Sequence, residues 1–87
     1  MKYFVYLLKS KKDNQFYIGQ TNNLKVRLAK HNSGEVLSTK NRIPFELVGY
    51  VDLQSRKEAL KLEKLLKNHS NQKLKFIRKF ISGFDWN

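Results

Sequence analysis

A chain of 87 residues has room for one hydrophobic core and therefore for one domain, residues 1–87, because a domain this small already leaves a large share of its surface in water. Apolar residues at 40% and aromatics at 13% suffice to pack that core despite 29% charged residues, which excludes wholesale disorder. The absence of cysteine excludes a disulfide framework and a thiolate zinc site, while 18 Lys and Arg against 7 Asp and Glu leave +11, which favours a polyanionic partner, nucleic acid first.

Residues 2–9 are β-rich and apolar at nearly every position, the pattern of a strand covered on both faces, and this places them inside a sheet. The apolar run, residues 4–8, falls far short of the roughly 20 residues that span a bilayer, and Met1-Lys2-Tyr3 lacks the opening of a signal peptide. A soluble, cytoplasmic protein without membrane contact is expected. Residues 10–15, with Asp13-Asn14, have turn chemistry, and Phe16-Tyr17-Ile18-Gly19 resumes a strand, so the two runs form an antiparallel hairpin. Asn22 or Asn23 caps a helix from about Leu24 to His31 or Asn32, with Gly34 as its stop.

Residues 35–43 are polar and basic without period and read as a surface loop that ends at Pro44. Alternation then resumes, with Phe45, Leu47, Val51 and Leu53 on one face of a strand and Glu46, Val48, Tyr50 and Asp52 on the other. Ser55-Arg56-Lys57-Glu58 has capping-box spacing and opens a helix that runs to about Lys67 and stops at Asn68-His69. Ser70 or Asn71 caps a third helix whose apolar Leu74, Phe76, Ile77, Phe80 and Ile81 end before Gly83, with Phe84 and Trp86 packing back on the domain. The element order is ββαβαα.

Several residues are not accounted for by the core. Leu24, Arg27, Leu28 and His31 fall on one stripe of the first helix, so a guanidinium and an imidazole share a face with leucines. Arg27 can lay its stem over apolar neighbours while His31 sits at a frayed end; alternatively, the two together can grip a phosphate and move a proton. Of the seven acids, Asp13, Glu35, Glu46, Asp52, Glu58 and Asp85 belong to turns, loops, outward faces, a cap and the tail. Glu63 lies within the apolar stripe of Ala59, Leu62 and Leu66, where a carboxylate needs a cation, either a Lys or Arg or a metal ion. Tyr6 and Tyr17 are neighbours across the hairpin, and on composition they are core aromatics with a polar handle.

Val5-Tyr6, followed after ten residues by Tyr17-Ile18-Gly19, resembles the paired motifs of the GIY-YIG nuclease family. The segment Thr21-Asn22-Asn23-Leu24-Lys25-Val26-Arg27-Leu28-Ala29-Lys30-His31-Asn32 is similar to that family's first helix, and Arg56-Lys57-Glu58-Ala59-Leu60-Lys61-Leu62-Glu63-Lys64 to the helix with its metal-binding glutamate. The likeness runs over residues 2–67 and leans toward small stand-alone members akin to the nuclease domain of the bacterial excinuclease. It implies an α/β (α+β) domain with a three-stranded antiparallel sheet flanked by helices, cutting DNA with one divalent ion, Mg²⁺ or Mn²⁺. It also implies catalytic roles for Tyr6, Tyr17, Arg27, His31 and Glu63, the last as metal ligand. Nucleic-acid contact is expected at Gly19, Asn23, Lys30, Lys40, Arg42 and Lys67, and the protein is expected to act as a monomer in DNA repair or processing without an obligate protein partner.

Three positions depart from the family pattern: Phe4 where glycine is common, Gln20 where a lysine follows the glycine, and Ser38 or Thr39 where many members have a tyrosine. The alternative to an endonuclease is therefore a weakly active or non-catalytic nucleic-acid-binding module on the same scaffold. An RNA-binding ribosome-associated protein rests on charge alone, since the element order differs from βαββαβ and no aromatic RNP pattern is present.

Overall fold

The computed structural model describes residues 2–81; Gly83, Phe84, Asp85 and Trp86 lie outside them. Strand β1 (Tyr3–Ser10) is central, with β2 (Phe16–Thr21) on one side and β3 (Phe45–Leu53) on the other, both antiparallel to it. The helices are α1 (Leu24–Asn32), α2 (Arg56–Asn68) and α3 (Ser70–Phe80), giving the order ββαβαα expected from the sequence. Among the described residues no helix is long and apolar enough to cross a membrane.

The central position of β1 explains its composition, because Val5, Tyr6, Leu7 and Leu8 are all buried and the strand must be apolar on both faces. Val5 and Leu7 face one way and pack with Ile18, Ala59, Leu66, Phe76 and Ile77, so α2 and α3 cover that face. Tyr6 and Leu8 face the other way, toward Phe45, Tyr17, Leu24 and Leu28, and α1 covers them. The hairpin turns through Asn14, at φ 60°, with Asp13 accepting the Gln15 N–H at 2.9 Å.

Strand β3 departs from the expected alternation. Leu7 pairs with Gly49 but Leu8 with Leu47, so Val48 is an extra residue, a bulge that switches the inward face midway along the strand. Phe45 consequently packs on the α1 side, whereas Val51 and Leu53 pack on the opposite side, joined by Val48, which strict alternation had placed outward. Leu47 and Tyr50 remain exposed. The bulge also brings Gly49 beneath the Phe80 ring, where a Cβ would overlap ring carbons.

The caps explain the helix limits. Asn23 accepts from Val26 N at 3.1 Å to start α1, and Gly34 lies just past its end. Ser55 accepts from Glu58 N at 3.1 Å to start α2, while the Glu58 carboxylate reaches back to Gln54 N at 3.3 Å, one residue before the reciprocal partner of a capping box. Helix α3 differs from expectation: it begins at Ser70, its N-cap is His69, and no side chain caps it. The stretch before β3 is also less loop-like than expected. It contains a 3₁₀ turn, Lys40–Arg42, and a wholly buried Thr39, followed by a cis Ile43-Pro44 bond.

Replacing Gly49 with alanine should displace the Phe80 ring and destabilise the fold by about 1–3 kcal/mol, the usual range for overpacking, measurable as a lowered urea midpoint at unchanged m-value.

Candidate active site

The β1–β2 ladder sets Tyr6 opposite Gly19 and Leu8 opposite Tyr17, so the two tyrosines are diagonal neighbours on the α1 face, with ring centroids 6.5 Å apart. The hydroxyl end of the Tyr6 ring lies against Gly19. A Cβ at residue 19 would overlap the phenol Oη and Cζ, so only glycine leaves the ring where it is. Helix α1 then delivers two side chains one turn apart to the same phenol. His31 Nε2 is 2.9 Å from Tyr6 Oη, and Arg27 Nε donates to that oxygen at 3.5 Å, the outer limit of a hydrogen bond.

His31 is fully buried rather than frayed, and its second nitrogen, Nδ1, is 2.8 Å from Thr39 Oγ1. Burial, then the nearby Arg27 guanidinium, lowers its pKa to about 4, so at neutral pH the ring carries one proton. Thr39 Oγ1 donates onward to the Val36 carbonyl at 3.4 Å and is therefore free to accept from Nδ1–H. This assigns the imidazole proton to Nδ1 and leaves Nε2 to accept from the Tyr6 hydroxyl. Burial pushes the Tyr6 phenol above its ordinary value, opposed by the Arg27 hydrogen bond and reinforced by Tyr17 and Glu63, and the group stays protonated.

Helix α2 packs on the opposite face of the sheet, yet one side of it passes along the β2 edge and brings Glu63 and Lys67 round to the tyrosines. Lys67 Nζ lies 5.0 Å from the centre of the Tyr17 ring and 3.4 Å from a Glu63 carboxylate oxygen. Of the two kinds of cation open to Glu63, the structure supplies the lysine. Among the described residues no group of three or more His, Cys, Asp or Glu side chains could enclose a metal ion. A single carboxylate with 21% of its side chain exposed suits a hard ion that keeps water and substrate oxygens as its remaining ligands, and it excludes an all-protein cage.

Tyr6, Tyr17, Arg27, His31 and Glu63 thus converge at the β2 edge between α1 and α2. The surrounding residues expected to contact nucleic acid are more varied. Lys30 and Lys40 are exposed, and Lys67 stands inside the cluster. The Gly19 position is explained by the Tyr6 ring, the Asn23 side chain caps α1, and the Arg42 guanidinium binds Asp13 at 2.7 Å and lies over Phe45. Thr39 is the functional candidate that the sequence showed only as a departure. Nothing in the spacing links it to His31, because the contact depends on how the 3₁₀ turn folds back.

Two measurements check this geometry. Nitrogen shifts of His31 should report a neutral Nδ1–H ring from pH 7 down to about pH 4. The unfolded imidazole takes its proton near 6.5 and the folded one only near 4, so the unfolded chain binds more protons in between. Stability should fall as pH drops through that window, by up to about 1.4 kcal/mol per pH unit from this residue. Gly19→Ala should expel the Tyr6 ring, destabilise by about 1–3 kcal/mol and remove the Tyr6–His31 hydrogen bond, read as a changed His31 Nε2 shift.

Comparison with known proteins agrees with this arrangement. The GIY-YIG catalytic domain matches residues 2–75. A UPF0213 protein of Staphylococcus haemolyticus is 42% identical over 78 residues, covering 87% of this chain and 94% of its own, and one of Streptococcus pneumoniae is 37% identical over 91 residues, covering 97% and 91%. The solution NMR structure of a UPF0213 protein from Bacillus halodurans superposes with a TM-score of 0.57 at 33% identity, covering 95% of this chain and 88% of that one. With the paired tyrosine strands, the Arg and His of α1 and the glutamate of α2 in place, the chain belongs to the GIY-YIG family.

Proposed function

We propose that this protein is a divalent-metal-dependent DNA endonuclease that hydrolyses phosphodiester bonds, selective for DNA structure in repair or processing. The observation that carries the reading is the convergence of Tyr6, Arg27 and His31 on one hydrogen-bonded cluster, with the Tyr17 ring packed against it and the α2 carboxylate, Glu63, at its rim. The net charge of +11 supports a polyanionic substrate.

Hydrolysis joins a water oxygen to phosphorus and breaks one phosphorus–oxygen bond to the sugar, so a base must take the water's proton and the departing oxygen needs a proton or positive charge. Arg27, pinned by the Tyr6 oxygen, places its remaining guanidinium donors for the non-bridging phosphate oxygens, where charge builds up. Tyr6 is 2% exposed and hands its hydrogen bond to His31, so it orients Arg27 and remains a phenol. Tyr17, partly exposed and beneath the Lys67 ammonium, is the tyrosine left to orient and deprotonate water. Glu63 would hold Mg²⁺ or Mn²⁺; bound there, the ion supplies positive charge to the phosphate and the departing oxygen. Lys67, now paired with Glu63 at 3.4 Å, would be free to meet a phosphate if Glu63 held the ion instead, in place of the lysine that Gln20 replaces.

The alternative of a non-catalytic nucleic-acid-binding module has one observation on its side: Glu63 is already neutralised by Lys67. Nicked, flapped and single-stranded DNA incubated with Mg²⁺ or Mn²⁺ separate the two. The endonuclease cuts at least one of these, Glu63→Ala abolishes cutting while retaining binding, and Arg27→Ala lowers kcat by roughly 10²–10³, the effect of losing one donor to a developing oxyanion. Absence of cutting across the panel, or equal cutting by Glu63→Ala, favours the binding module.

A further inference from the structure

Beside the tyrosine cluster lies a second feature, of which the proposed chemistry uses only Arg27. A cleft of about 350 Å³ opens past the Gln20 end of β2, lined by Tyr3, Gln20, Thr21, Asn22, Arg27 and Arg56. Two guanidiniums share it with amide and hydroxyl groups, and no carboxylate lines it. Arg56 takes part in none of the ion pairs among the described residues, and its side chain is exposed at the first position of α2. Neighbouring like charges repel, and an anion between them relieves that repulsion. Planar guanidinium forks match phosphate oxygens in geometry as well as charge.

The register of α2 on β2 relates this cleft to the cluster. Lys67 lies over Tyr17 near the start of β2, whereas Arg56 shares the cleft with Gln20 and Thr21 at its end, so helix and strand run in opposite directions along the same edge. Arg56, Glu63 and Lys67 are spaced i, i+7 and i+11, which returns them to one side of the helix. Seven residues of helix advance about 10 Å, so Arg56 stands about that far along the edge from Glu63. Arg27 belongs to both places, touching Tyr6 and lining the cleft.

We propose that this cleft is a phosphate subsite, with Arg56 as its own ligand, that holds the phosphate next along the strand from the one to be cut. It rests on the nuclease reading and adds the path of the substrate: a DNA strand follows the β2 edge between α1 and α2, from Arg56 past Arg27 to Lys67. Arg56 acts on binding and not on the bond that breaks.

The test begins with binding, which needs no cleavage. Titrating the isotope-labelled wild-type protein with a short single-stranded oligonucleotide should shift the backbone amides of Thr21 and Asn22 and the Arg56 Nε–H. Arg56→Ala should weaken that oligonucleotide by about tenfold and reduce the slope of log K against log salt by about 0.7, the share of one single-strand phosphate, while Arg56→Lys should restore the slope. Circular dichroism and urea midpoints confirm that both variants fold. With a cleaved substrate, Arg56→Ala should raise KM with kcat within about threefold, and a neutral methylphosphonate at the adjacent phosphate should weaken the wild type more than it weakens Arg56→Ala, which keeps only Arg27 in the cleft. Unshifted cleft resonances, an unchanged salt slope in Arg56→Ala, or additive losses from the variant and the methylphosphonate would each overturn the subsite. Loss of all cutting by the wild type with the binding results intact would instead remove the nuclease reading and leave the phosphate site standing.

Discussion

The site depends on one steric arrangement, the phenol of Tyr6 lying directly on the backbone of Gly19. Strand pairing brings residues 6 and 19 face to face, and the missing side chain at 19 creates the slot that the ring fills. Once the ring is there, its hydroxyl is a fixed point to which α1 is fastened by His31 and Arg27, and His31 in turn fastens the stretch before β3 through Thr39. A buried polar chain of this kind is stable only when each member finds a partner, and among the described residues no buried side-chain nitrogen or oxygen lacks one.

Division of labour between the two faces of the sheet follows from the apolar content of β1. Its odd-numbered side chains carry the larger core with α2 and α3, and its even-numbered ones carry the polar cluster beneath α1. Because α2 lies on the far face but along the β2 edge, a glutamate chosen by position on its stripe can reach the tyrosines. The bulge at Val48 serves this plan by letting β3 contribute Phe45 to one face and Val51 to the other. The Phe45 ring then stands 5.8 Å from the His31 ring and closes the cluster on that side.

Much of this was legible in the sequence, for physical reasons. The first strand covered on two faces, the caps of α1 and α2 and the place of Glu63 on the apolar side of α2 follow from local rules of burial and hydrogen bonding, and these recur in the structure. The convergence of the five candidate residues followed from resemblance and not from periodicity, which by itself favoured a frayed end for His31. What local rules could not supply were the contacts made by chain reversal: the bulge that reverses the face of β3, the uncapped start of α3, and Thr39 returning to His31 from a segment without any period. Arg56 was equally hidden, because a first-turn arginine on a helix is ordinary until the opposite helix brings a second one into the same cleft.

β2, which carries Tyr17 and Gly19, is an outer strand, bonded to β1 on one side only. Outer strands fray at smaller free energies than a central one, whose opening requires the whole domain to unfold. Gentle warming would therefore loosen the tyrosine pair and part the two helices while the interior built on Val5 and Leu7 stayed intact, so the geometry of the candidate site would be lost at a lower temperature than the fold itself.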